Sequence, residues 1–114
     1  MPTPFRRQSS HYASRLFSRR ALDLRAQLVT LHSTGERIVV HGRTYDVSRT
    51  GAGVTLTREL PSGTEVVLSL RLPGSGILLS LRAVITRRQG FRAGLQFVEP
   101  SLEQRLLLSE LCYA

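Results

Sequence analysis

Two short runs in this chain combine residue types and spacings that could do chemistry. In Arg15-Leu-Phe-Ser-Arg19 two arginines are separated by three residues. A guanidinium is a planar fork of donors. It holds a phosphate or a guanine edge through two parallel bonds, and it stacks on flat rings. In Asp46-Val-Ser48-Arg-Thr-Gly51 a carboxylate, a hydroxyl and a glycine follow at close intervals. Asp46 and Ser48 can bond nearby backbone amides and Gly51 tolerates a positive φ, so the ordinary reading of this run is a turn. The ordinary reading of the arginine pair is a solvated basic segment. Arg15/Arg19 and Arg88/Arg92 are the pairs with this spacing among the 16 arginines, and about two are expected by chance. Placement, not either pattern alone, carries the argument.

Other chemical templates fail. His11, His32 and His41 lack metal-ligand spacing. No Gly-x-Ser-x-Gly nucleophile elbow occurs, and Gly51-Ala-Gly53 and Gly74-Ser-Gly76 lack the third glycine of a dinucleotide fingerprint. No paired carboxylates sit in an apolar setting, so the chain does not read as an enzyme. The single cysteine, Cys112, excludes an internal disulfide and a Cys-based zinc site, and reads as a small core residue.

Composition narrows the partners. The 114 residues hold 16 basic and 8 acidic side chains, for a formal charge of +8, and every basic residue is arginine. Such a surplus fits an anionic partner: nucleic acid, a phosphorylated ligand or an acidic lipid surface. A GC-rich genome would also favour arginine over lysine, so the bias by itself is ambiguous. The charge is uneven. Arg6, Arg7, Arg15, Arg19, Arg20 and Arg25 face only Asp23 in the first 25 residues. That segment is Arg- and Ser-rich like an organellar transit peptide, but it has no apolar stretch typical of a secretory signal. No run approaches the ~20 apolar residues of a membrane span.

The elements that must position these residues are mostly strands. Residues 1–14 read as a flexible basic tail, and 15–114 as one domain with no room for an output domain. Strands are expected near Ala26–His32, Glu36–Val47 with a break at His41-Gly42, Ala52–Thr57, Thr64–Leu72, Ile77–Arg88 and Phe91–Glu99. Alternation puts Val66, Leu68, Leu70 and Leu72 inward on the fourth, Leu79, Leu81, Ala83 and Ile85 on the fifth, and Ala93, Leu95 and Phe97 on the sixth. Ser101-Leu-Glu-Gln104 has the form of a capping box, and Leu107, Leu108 and Leu111 then recur at helical spacing. The expected fold class is all-β: a small six-stranded antiparallel barrel with an Arg-rich N-terminal arm and a short C-terminal helix.

In this order the two runs resemble those of a PilZ domain, the bacterial receptor module for cyclic di-GMP. Family members show Arg-x3-Arg before the first strand and [Asp/Asn]-x-Ser-x-x-Gly leading into the third. Further likeness lies in Arg19-Arg-Ala-Leu-Asp-Leu-Arg-Ala-Gln-Leu28, Gly51-Ala-Gly53-Val-Thr-Leu56, Gly63 before an apolar strand, and Gly94-Leu-Gln-Phe97. The resemblance covers about residues 15–112.

The resemblance implies a cyclic di-GMP site at Arg15, Arg19, Asp46, Ser48 and Gly51, with Arg20 adding charge beside the motif. It implies no metal. Arginine suits both the phosphates and the guanine O6/N7 edge, and Asp46 suits the complementary N1–H/N2–H edge. Ser48 would offer a hydroxyl, and Gly51 would shape a turn against which a flat ligand lies. A loose arm that orders around the ligand would make a switch. The implied role is a bacterial cytoplasmic receptor acting through an effector protein in motility, biofilm, exopolysaccharide or virulence control. Two departures stand out: Thr86 occupies a position where many members carry a stacking Trp, and Ser14 one where some carry another Arg. Either an arginine compensates for the missing ring or binding is weaker. The rival readings are a PilZ-type module that binds only a protein partner, and a small basic barrel for RNA or single-stranded DNA. The second is disfavoured by scarce aromatic platforms, with only Tyr12, Phe17, Tyr45 and Phe91 as exposed candidates.

Overall fold

The computed structural model describes residues 19–31 and 34–113. The tail over 1–14, Arg15 and His32 therefore lie outside the described residues. Six strands follow in order: β1 (Arg25–Leu31), β2 (Arg37–Val47), β3 (Gly51–Leu56), β4 (Glu65–Arg71), β5 (Leu78–Gln89) and β6 (Arg92–Phe97). One helix, α1 (Leu102–Tyr113), comes after them.

All neighbouring strands are antiparallel, and they close into a barrel in the order β1-β2-β3-β6-β5-β4. Closure follows from β1, which pairs with β2 on one side and β4 on the other. The period-2 alternation read from the sequence sorts the faces. Leu28, Leu68, Leu70, Leu81 and Ile85 are fully buried in the barrel, with Val40, Val47 and Val54 among them. Each buried side chain of this size stabilises the fold by roughly 1.5–3 kcal/mol relative to leaving it in water.

Two irregularities interrupt the ladders. Between β2 and β3 the register passes from Thr44↔Val54 to Asp46↔Gly53, so Tyr45 and Asp46 together oppose Gly53. Between β5 and β6 it passes from Ile85↔Leu95 to Arg87↔Gly94, so Thr86 and Arg87 oppose Gly94. These are bulges, and each places two consecutive side chains where one belongs. The break expected at His41-Gly42 does not exist. β2 runs through it, because Gly42 pairs with both Ala26 and Leu56. Gly42 serves close approach instead: a Cβ there would collide with the Thr55 carbonyl.

The helix is tied on at both ends. Ser101 Oγ accepts the Gln104 amide at 3.1 Å, and Gln104 Oε1 accepts the Ser101 amide at 2.7 Å, which completes the expected capping box. Gln104 also donates its side-chain amide to the Ser80 carbonyl on β5, 2.6 Å away. Further along, Leu108, Leu111 and Cys112 join the core cluster, and Cys112 Sγ lies 3.6 Å from the Val47 carbonyl. Burial pushes the Cys112 thiol above its ordinary range, while the nearby Arg20 and Arg49 charges pull the other way.

Candidate ligand-binding site

The residues singled out by their spacing converge at the end of β2. Asp46 reaches its position through the bulge, and its Oδ1 accepts the Gly53 amide at 2.9 Å. Arg19, which precedes β1, points its Nη1 at the same carboxylate, 3.2 Å from Oδ1 and 3.0 Å from Oδ2. The two side chains remain 48% and 21% exposed. The pair is thus an open, solvent-facing charge contact between the arm and the barrel. An exposed ion pair of this kind contributes at most about 1 kcal/mol, so a competing ligand can exchange it.

The backbone holds the arm in register. Arg20 N donates to the Val47 carbonyl at 2.8 Å, and Val47 N donates to the Arg20 carbonyl at 2.9 Å. Thr44, buried at the bulge, accepts the Leu24 amide on its Oγ1 and donates to the Leu22 carbonyl. Arg20 itself turns elsewhere: its Nη1 donates to the Leu111 carbonyl near the end of α1, at 2.9 Å. The structure thus separates the two neighbouring arginines, placing Arg19 at Asp46 and Arg20 at the helix.

Ser48 lies in the loop between β2 and β3, and Gly51 is the first residue of β3. Ser48 is only 2% exposed. Its Oγ accepts the Thr50 amide at 3.2 Å and the Gly51 amide at 3.1 Å, and lies within bonding distance of the Gly51 carbonyl. That hydroxyl organises the turn from inside. Gly51 does not have the positive φ expected of it; the positive-φ glycines are Gly35, Gly63, Gly74, Gly76 and Gly90. The need for glycine is steric. Gly51 opens β3 against β6, and a Cβ would collide with the Leu95 carbonyl.

The spacing of residues in the sequence gave no sign of a neighbouring feature. Alternation turns Gly53 and Gly94 outward, and the two pair across β3 and β6. Tyr45 lays its ring against Gly53, where a Cβ would strike the ring. Arg87 lies over Gly94. The Arg92 guanidinium sits 4.8 Å from the centroid of the Tyr45 ring. A cavity of about 430 Å³ here is lined by Tyr45, Arg87, Arg88, Arg92 and Gly94 among others. A larger, mostly apolar one of about 650 Å³ lies on the other side of Tyr45, against Ala21–Asp23 and Gly42–Thr44.

The family profile described as PilZ domain matches residues 13–114. The chain belongs to the PilZ domain family. The PilZ fold also appears among solved structures. The PilZ domain of CeSA from a cellulose-synthesizing bacterium is 26% identical, with a TM-score of 0.64 over 83% of this chain and 94% of that one. The PilZ domain of YcgR from Escherichia coli, solved with c-di-GMP, is 16% identical, with a TM-score of 0.71 over 85% and 87%. The Bacillus subtilis inhibitor of motility MotI/DgrA is 22% identical, with a TM-score of 0.66 over 84% of this chain and 47% of that one. A search of curated protein sequences finds no match. No described helix is long and apolar enough to cross a membrane.

Proposed function

We propose that this PilZ domain is a cyclic di-GMP receptor that passes the signal to a partner protein. The observation that carries the reading is the meeting of Arg19 and Asp46, the last residue of one motif and the first of the other, 27 positions apart in the chain. The Arg19 guanidinium meets Asp46 through one nitrogen, Nη1, set between the two carboxylate oxygens, where the N1–H and N2–H edge of a guanine would also find its acceptors. In this reading Arg19 keeps the place of a guanine. An arriving base takes over the carboxylate, and the freed Arg19 turns to a phosphate or to the O6/N7 edge, joined there by Arg15 from the arm. Ser48 and Gly51 serve by fixing the turn that aims Asp46. Arg20 serves as the link onward.

The route outward is short. Arg19 adjoins Arg20, and Asp46 adjoins Val47. Arg20, Val47, Leu111 and Cys112 form one joint between arm, barrel and helix. Movement at the ligand is therefore passed on through one residue in each strand to α1, whose Leu102 and Leu106 are 65% and 58% exposed and available to an effector.

Titration calorimetry with cyclic di-GMP tests the proposal. The wild type should bind, and Arg19→Ala and Asp46→Ala should each weaken binding at least about tenfold, or ~1.4 kcal/mol. No heat from the wild type at high micromolar ligand would refute the receptor reading.

A further inference from the structure

We infer that Tyr45, Arg92 and Arg87 form a second contact surface of the same site, in which the Tyr45 ring stacks on a base of the ligand and the two arginines grip its edge or a phosphate. The inference rests on the receptor reading above and deepens it. It starts from the bulge in β2. An unbroken strand would send Tyr45 and Asp46 to opposite faces of the sheet. The bulge puts both opposite Gly53, so the ring and the carboxylate stand side by side on one outer surface.

The second bulge completes the surface. Thr86 and Arg87 face Gly94 as Tyr45 and Asp46 face Gly53, and the two glycines are paired neighbours. The middle of this strip carries no side chains of its own. The Tyr45 ring covers Gly53 and the Arg87 side chain covers Gly94, so a ring and a cation are seated closely on the backbone. A planar heterocycle can stack on the outer face of a ring seated in this way. Thr86 is not available as a platform, since it has no ring and its Oγ1 lies 3.3 Å from the Gly94 carbonyl.

The chain's own cations mark the places. Arg92 lies over the Tyr45 ring at 4.8 Å, as a stacked base would, just as Arg19 lies on Asp46 as a base edge would. Arg88 is engaged with Glu59 at 2.6 Å. Among the described residues no carboxylate pairs with Arg87 or Arg92. These two are the cations on the cavity with charge to offer a ligand, and guanidinium reads the O6/N7 edge of guanine directly. Two bases joined through one cyclic phosphodiester ring suit adjacent edge-reading and face-stacking positions.

The experiment is a cyclic di-GMP titration of the wild type, Arg19→Ala, Tyr45→Leu, Tyr45→Phe and Arg92→Ala. Thermal melts show that each variant is folded. Tyr45→Leu should weaken binding by about 5- to 150-fold, the range for loss of one stacked base. Tyr45→Phe, which keeps the ring, should restore most of that loss, and Arg92→Ala should weaken binding measurably. A second readout needs no disruptive variant. The chain has no Trp, so its intrinsic emission comes from tyrosine. Ligand should quench that emission in the wild type, and Tyr45→Phe should remove most of the quench. If the wild type binds and Arg19→Ala loses affinity while Tyr45→Leu and Arg92→Ala stay within twofold, the inference is overturned and the receptor reading stands. If the wild type does not bind, both fall.

Discussion

Asp46 accepts from two sources at once. Its Oδ1 takes the Gly53 amide, and the Arg19 guanidinium spans both oxygens. These contacts have different consequences when altered. Asn keeps one oxygen, which the Gly53 amide and a base would have to share, while Ala leaves that amide without its partner. Asp46→Asn should therefore bind cyclic di-GMP more weakly than the wild type but more tightly than Asp46→Ala, as three parallel titrations would show. Arg19→Ala should cost little stability, below about 1 kcal/mol in a denaturant titration, because the lost ion pair is exposed. At this scale the structure brings Arg19 and Asp46 together, while Ser48 and Gly51 hold their places for structural reasons. Ser48 and Gly51 stood out as turn residues, and Ser48 is one. The requirement for glycine at 51 comes from a carbonyl on β6, 44 residues away, which no local pattern reveals. Tyr45 read only as an exposed aromatic; alternation turns it outward, but it does not predict the bulge that brings Asp46 to the same face.

The strands were legible because alternation is strong wherever one face is dry. The inward residues read on β4, β5 and β6 are all buried. The irregularity in β2 was misplaced by a few residues because Gly42 looked like a break, whereas the register shifts between Thr44 and Asp46. The helix boundary was legible through its chemistry: Ser101 and Gln104 close on each other. Ser101→Ala should lower stability by about 1 kcal/mol, the usual value of an N-cap, and shift the thermal midpoint by several degrees. The helix also meets the arm through Arg20, a link that neither segment announces by itself. A guanidinium donating to a carbonyl in the last turn of a helix completes a backbone group that the helix leaves unpaired.

For the molecule as a whole, the surplus of +8 is already net of every carboxylate, so ion pairing decides where it sits and not how large it is. Arg19, Arg43 and Arg88 are paired with Asp46, Asp23 and Glu59. Near the site, Arg87 and Arg92 pair with no carboxylate among the described residues, and such a local grip suits one small dianion. Salt separates this from a surface for a polyanion. A protein neutralising 6–10 nucleic-acid phosphates loses about 10³–10⁵ in affinity between 50 and 200 mM salt. Cyclic di-GMP offers two phosphates, so its affinity should fall by about tenfold or less over the same range, measured by titration at several salt concentrations.

The closed barrel also limits how a partner can attach. Each of the six strands has a hydrogen-bonded neighbour on both sides over part of its length. No strand is free along its whole length, so the barrel offers no full edge for an incoming peptide to extend. The larger surface open to a partner is that of side chains, on the outer strand faces or on α1. Outward side chains can be exchanged without breaking a ladder hydrogen bond. Partner choice and ligand grip can then diverge among proteins with this barrel while the hydrogen-bonded frame stays the same.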